Sequence, residues 1–161
     1  MTYILEALYF LIPLWTLNII LNLRPWFFTM FKIKDYPFDC YGKIKNHRIL
    51  GDSTTWAGLG LALFFGLVLG YMAYGNIIFG LGCGLITFFG HALGSFIKRR
   101  FNRKNMIILD QLNYFILGLI FFVMWRQLDV YLLLTASLLH IIVHPTLAWL
   151  GIQLGLRRVE N

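Results

Sequence analysis

Acidic residues are scarce in this chain: seven Asp and Glu stand against fourteen Lys and Arg in 161 residues. Charged side chains of both signs make up only 13%, while hydrophobic residues make up 59%. A soluble domain carries about a quarter charged residues, so a water-soluble globular fold is excluded and the chain is read as an integral membrane protein. The formal charge of +7 would suggest nucleic acid in a soluble domain. Here the basic residues occupy the connections between apolar runs, which fits anionic lipid and phosphate and no nucleic acid. Only two cysteines occur, Cys40 in a polar connection and Cys83 in an apolar run, without CxxC spacing, so neither a disulfide nor a metal site is expected from them. The first apolar stretch lacks the cationic start and small-residue cleavage site of a signal peptide and instead carries Glu6, so it reads as a retained anchor. There is no internal repeat and no low-complexity tract, which leaves one domain over residues 1–161.

What is present is a set of long apolar runs. A bilayer-spanning helix needs about 20 largely apolar residues, and five stretches meet that need: residues 3–23, 55–74, 76–97, 109–125 and 129–150. The expected fold is an all-α polytopic bundle of five transmembrane helices with connections at 24–54 and 98–108. If the helices cross in sequence, Arg24, Lys32, Lys34, Lys43, Lys45, Arg48, Lys98, Arg99, Arg100, Arg103, Lys104, Arg157 and Arg158 fall on one side, and only Arg126 on the other. By the positive-inside rule the N-terminus is then outside, the C-terminus is cytoplasmic, and chemistry faces the cytoplasm of the cell membrane. Glycines crowd the second and third stretches, with small-xxx-small pairs at Gly66 and Gly70, Gly80 and Gly84, and Gly90 and Gly94. In lipid such residues let helix backbones approach for dispersion contact, and exposed glycine faces also allow a homodimer. The 24–54 connection holds Pro25, Pro37 and aromatics such as Trp26, Phe28 and Tyr36, and is expected along the membrane interface.

The chemistry gathers at one junction. The run from Gly90 to Arg100 is built on small residues and ends in three cations, Lys98, Arg99 and Arg100, and Asp110 opens the next apolar stretch. Asp52 and Asp110 both stand beside helix starts, where a carboxylate can serve as a cap on the helix dipole. An ionisable group at membrane depth also points to function, because its burial there is costly without a cation or metal. Cations beside carboxylates suit a polyphosphate with Mg²⁺, an ion that takes oxygen ligands and keeps substrate phosphates in its shell. The turn Gly51-Asp52-Ser53-Thr54-Thr55 offers hydroxyls to phosphate but lacks the lysine of a P-loop. His140 and His144 share a helical face without an evident third ligand, and His91 stands alone in an apolar run, so all three read first as hydrogen-bonded interior residues.

Several of these motifs, taken in order, resemble the CDP-archaeol synthase family, relatives of the CDP-diacylglycerol synthases. Gly94-Ser95-Phe96-Ile97-Lys98-Arg99-Arg100 followed by Leu109-Asp110-Gln111-Leu112 resembles its signature. Pro37-Phe38-Asp39 is similar to its Pro-x-Asp element, and Arg48 to Asp52 with Thr55, Trp56 and Gly58 is similar to its Gly-Asp-Gly-Lys-Thr-Trp-x-Gly element. His140 sits where a late histidine is expected. The resemblance implies five membrane helices and a cytidylyltransferase that joins CTP to a lipid phosphate, with Mg²⁺ as cofactor and release of pyrophosphate. It implies Asp110 as metal ligand with Lys98 and Arg99 at the reacting phosphates. Ser95, Arg100, Asp52, Thr55, Asp39 and His140 are implied as substrate contacts, with Asp39 and Asp52 also available to hold metal or to order the long connection. Two positions depart from the pattern: Thr54 replaces a lysine, and His91 replaces an aspartate and is carried as the second metal candidate. A neutral imidazole is a poor ligand for Mg²⁺.

The competing reading is a non-catalytic membrane homologue that binds anionic lipid or a protein partner through the basic connection. A channel is disfavoured because the cations cluster at one face and do not line a path. The residues carry no information on the hydrocarbon chains of the lipid.

Overall fold

Thr55 starts a helix by lending its side-chain oxygen to the Gly58 amide, and the chain then runs as α2, Trp56–Tyr74, until Gly75 takes the left-handed conformation at φ 58°. Asn76 follows at once and caps α3, Ile77–Arg100, by accepting from the Phe79 amide. These two helices sit in a computed structural model that describes residues 2–32, 34–44, 47–101, 107–126 and 129–153. The other helices are α1, Thr2–Phe31, α4, Ile107–Arg126, and α5, Val130–Gln153. Between α1 and α2 lies a two-stranded antiparallel hairpin, β1 Lys43–Ile44 and β2 His47–Arg48, with Lys43 opposite Arg48. Among the described residues, four helices are long and apolar enough to cross a membrane, and the apolar part of α4, Leu112–Trp125, is shorter.

The hairpin of α2 and α3 is held by backbone contact at the expected glycines. A Cβ added to Gly80 would lie 2.1 Å from the Gly66 carbonyl oxygen, and one added to Gly84 would lie 2.4 Å from that of Ala62. No side chain fits in that seam, so dispersion between main chains replaces side-chain packing. Gly90 plays the same part toward α4, where an added Cβ would meet the Tyr114 Cα at 2.3 Å. Around these contacts Leu11, Leu14, Leu17, Phe79, Tyr114, Phe115, Phe122 and Leu132 form the buried core. Phe64, Met72, Ile78, Leu138 and Ile142 point outward, as side chains facing lipid do.

Helix α1 does not end near Leu23 as expected. It continues through Pro25 to Phe31, and so converts the start of the expected connection into helix. Proline removes one intrahelical hydrogen bond, at a cost of about 3 kcal/mol. Contacts on both sides of the proline offset it: Phe27 lies against Phe65 of α2, Phe28 is buried, and Arg24 reaches into the α2 cap. At 30 residues α1 is about 45 Å long, well beyond the ~30 Å hydrocarbon layer.

The connection from α1 to α2 closes on itself. Phe38 N donates to Thr54 O at 2.9 Å and Trp56 N to Tyr36 O at 3.1 Å, flanking the bridge of Pro37 with Thr55. This loop and the end of α3 share one pole of the bundle. At the opposite pole Tyr74 donates to the Tyr9 carbonyl and Tyr3 lies 3.4 Å from Asp129.

Candidate functional site at the basic pole

The last turn of α3 presents Lys98, Arg99 and Arg100 together. Arg99 lies over Gly51: a Cβ there would meet its Nη2 at 3.0 Å, so glycine leaves room for the guanidinium against the turn. Arg100 packs over the Phe96 ring and donates to the Ile44 carbonyl at 3.3 Å, which ties the triplet to β1. Lys98 is partly buried on the same turn. The Thr54 hydroxyl donates to the Ser95 hydroxyl at 3.3 Å, both buried, so the loop is stitched to α3 one turn before the cations. Of the expected residues, Ser95, Arg99, Arg100 and the Gly51–Thr55 turn are thus brought together.

Asp39 and Asp52 meet through Arg48. One Asp39 oxygen accepts from Arg48 Nη2 at 2.8 Å and from the Tyr41 amide at 3.2 Å, and the other from the Leu50 amide at 2.8 Å. Its side chain is 1% exposed, whereas Asp52, also bonded to Arg48, is 82% exposed. Burial works against the Asp39 carboxylate, yet the hydrogen bonds from Arg48 and the backbone, with the arginine's charge, outweigh it and hold its pKa below the usual range. Arg48 is correspondingly raised, first by the Asp39 hydrogen bond and further by Asp52, against desolvation. Asp39 therefore orders the loop. Thr55 is likewise occupied, as the α2 cap and as acceptor from Arg24 Nη1 at 3.1 Å.

His91, His140 and His144 belong to a separate layer inside the bundle. Trp15 Nε1 donates to His140 Nδ1 at 3.0 Å, and Phe115 stacks on the same imidazole at 3.9 Å. Asn18 bridges the other two, with its Oδ1 2.7 Å from His91 Nε2 and its Nδ2 3.0 Å from His144 Nε2.

Among the described residues no group of three His, Cys, Asp or Glu is placed to hold a metal. Both oxygens of Asp39 are taken, Asp52 is exposed beside a cation, and His91 Nε2 faces Asn18. These residues do not by themselves fit a Mg²⁺ centre. The expected ligand, Asp110, stands in the first turn of α4, but its side chain lies outside the described residues, as do Lys45, Arg103, Lys104, Arg157 and Arg158.

Four participants are not singled out by the sequence reading. Arg24 counts there only as a loop cation, although its place beside Pro25 at the end of an apolar run is a signal. Trp15, Asn18 and Asn22 recur at helical spacing inside the first apolar run, a polar stripe that an isolated lipid-facing helix has no use for.

Comparison with known proteins agrees with this architecture. Residues 73–161 match a family model described as CarS-like, CDP-archaeol synthase. A CDP-archaeol synthase of Staphylothermus marinus is 32% identical over 129 residues, covering 68% of this chain and 72% of the relative. That of Pyrobaculum calidifontis is 28% identical over 133 residues, covering 76% and 80%. A solved structure described as an intramembrane enzyme for archaeal membrane lipids biosynthesis has the same fold, with a TM-score of 0.60 at 24% identity over 90% of this chain and 94% of its own. With this family match and these relatives, the chain belongs to the CDP-archaeol synthase family.

Proposed function

We infer that the basic pole is where this CTP-dependent nucleotidyltransferase works, joining CTP to an archaeal glycerol-lipid phosphate to give a CDP-activated lipid and pyrophosphate. An oxygen of the lipid phosphate forms a bond to the α-phosphorus of CTP, and the bond from that phosphorus to the β-phosphate bridging oxygen breaks. No protein nucleophile is needed. The task is alignment and neutralisation of charge on crowded phosphates.

In this reading Lys98 and Arg99 face the reacting phosphates, while Arg100, Ser95 and the Gly51–Thr55 turn line the substrate seat. Arg99 over Gly51 provides a cation where Thr54 has removed the family's lysine. Asp110, with the nucleotide's own oxygens, is the proposed ligand of Mg²⁺, an ion that would draw charge from the departing pyrophosphate. The bundle is taken to cross the membrane five times with the basic pole on the cytoplasmic side, in keeping with the distribution of cations.

One observation carries the reading: the contacts of Arg99 with Gly51 and of Thr54 with Ser95 set the Gly51–Thr55 turn, far away in sequence, against the cationic last turn of α3. Purified protein in detergent or lipid, given labelled CTP, a dialkylglycerol phosphate and Mg²⁺, should release pyrophosphate and form the CDP-lipid. Folded protein that forms none with either Mg²⁺ or Mn²⁺ refutes it.

A further inference from the structure

The side chain of Arg24 is the feature this chemistry leaves unused. It projects from α1, a helix long enough to span, and the residue is only 9% exposed. Placing a guanidinium there is costly unless hydrogen bonds and an opposing charge compensate it. Its contacts reach both ends of one loop. Nη1 donates to the Ser53 carbonyl and to the Thr55 hydroxyl at 3.1 Å, while Nε, which has no hydrogen-bond partner among the described residues, faces Asp35 Oδ2 as an ion pair at 3.8 Å. Gly58, in the first turn of α2, borders the side chain: a Cβ there would stand in ordinary contact, 3.5 Å from both Cδ and Nη1 of Arg24. Phe28, one turn further along α1, lies beneath the guanidinium at 5.8 Å.

We propose that Arg24 is a positioning residue, which clamps Asp35 at the start of the loop to Ser53 and Thr55 at its end and so holds the Gly51–Thr54 turn under Arg99, ready for nucleotide phosphate. This rests on the reading of the basic pole given above. The clamp works alongside the backbone closure of Phe38 with Thr54 and of Trp56 with Tyr36. A planar fork suits three partners set apart in this way, and a lysine ammonium, a point donor on a flexible stem, does not.

A loop that is ordered only part of the time weakens apparent ligand affinity in proportion to the ordered fraction, while the bound complex reacts as before. The test therefore separates KM from kcat. Arg24→Gln should raise KM for CTP roughly tenfold and change kcat less than about twofold, with Arg24→Lys between it and the parent. Hydrogen exchange at the Phe38, Thr54 and Trp56 amides should quicken in the same order. Should both Arg24 variants fail to fold, Asp35→Asn decides: it should raise KM for CTP a few-fold and quicken the same amides. Unchanged KM and unchanged exchange in folded variants overturn the clamp while leaving an active parent enzyme intact. A parent enzyme without turnover removes the reading of the basic pole instead, and the clamp with it.

Discussion

Trp15 donates its indole N–H to Nδ1 of His140 across 3.0 Å in the buried centre of the bundle. Indole nitrogen can only donate, so Nδ1 is the accepting nitrogen of that ring and the imidazole proton sits on Nε2. Nitrogen-15 shifts of His140 should report the Nε2–H tautomer. Trp15→Phe should abolish that preference and lower stability by about 1–3 kcal/mol, the usual penalty for a stranded buried acceptor. A His140 spectrum identical in the two proteins would refute the assignment.

Two glycines in neighbouring helices should respond with opposite sign. Gly80→Ala forces a methyl to within 2.1 Å of the Gly66 carbonyl oxygen, which no side-chain motion can relieve, and should destabilise by at least about 1–3 kcal/mol. Gly60 has no neighbouring atom within 4 Å of an added Cβ, so Gly60→Ala should stabilise by up to about 1 kcal/mol through helix propensity alone. Thermal unfolding in detergent measures both.

The loop buttress of Asp39 and Arg48 has a defined pH dependence. The Asp39 pKa is depressed in the folded protein, so its contribution is complete above the ordinary carboxylate range and is lost as pH falls through the depressed value. Arg48 is shifted upward, and its contribution fades only above the arginine range. Exchange of the Leu50 amide should quicken on the acid side, and Asp39→Asn should exchange fast at every pH. An acid limb that survives in the variant would point to another group.

Asp110→Asn tests the proposed metal ligand. Turnover should fall roughly a hundredfold or more, as when a group that stabilises transition-state charge is removed, while lipid binding persists. Retention of full activity would exclude Asp110 from the chemistry.

Much of this molecule was legible in its residues because the bilayer imposes few solutions. The start and end of α2 and the start of α3 follow from the gap at Gly75 between two apolar stretches, and the stretches rich in glycine announced a backbone seam. The end of α3 does not, because the helix runs on through Lys98, Arg99 and Arg100, which the sequence places in the connection. That Arg99 of the cationic triplet lies at the same pole as the Gly51 turn accords with the shared side that counting crossings gives. The end of α1 was misread because Arg24 and Pro25 together look like a helix exit. Only tertiary contacts, Phe27 on Phe65 and Arg24 on Thr55, reveal that the helix continues. Pairing within the loop was out of reach for the same reason. Asp39 and Arg48 are both ordinary loop residues until the hairpin of β1 and β2 folds one back onto the other.

The glycine seam between α2 and α3 also bears on how the chain assembles. Gly70 and Gly80 are ten positions apart in sequence, on either side of the left-handed turn at Gly75, and their union requires no partner from elsewhere. Such a short-range contact forms early. The two helices can therefore pair ahead of the rest of the bundle, as a pillar against which Gly90 then seats α4. A bulky substitution along that seam would act on the order of assembly as well as on the finished bundle.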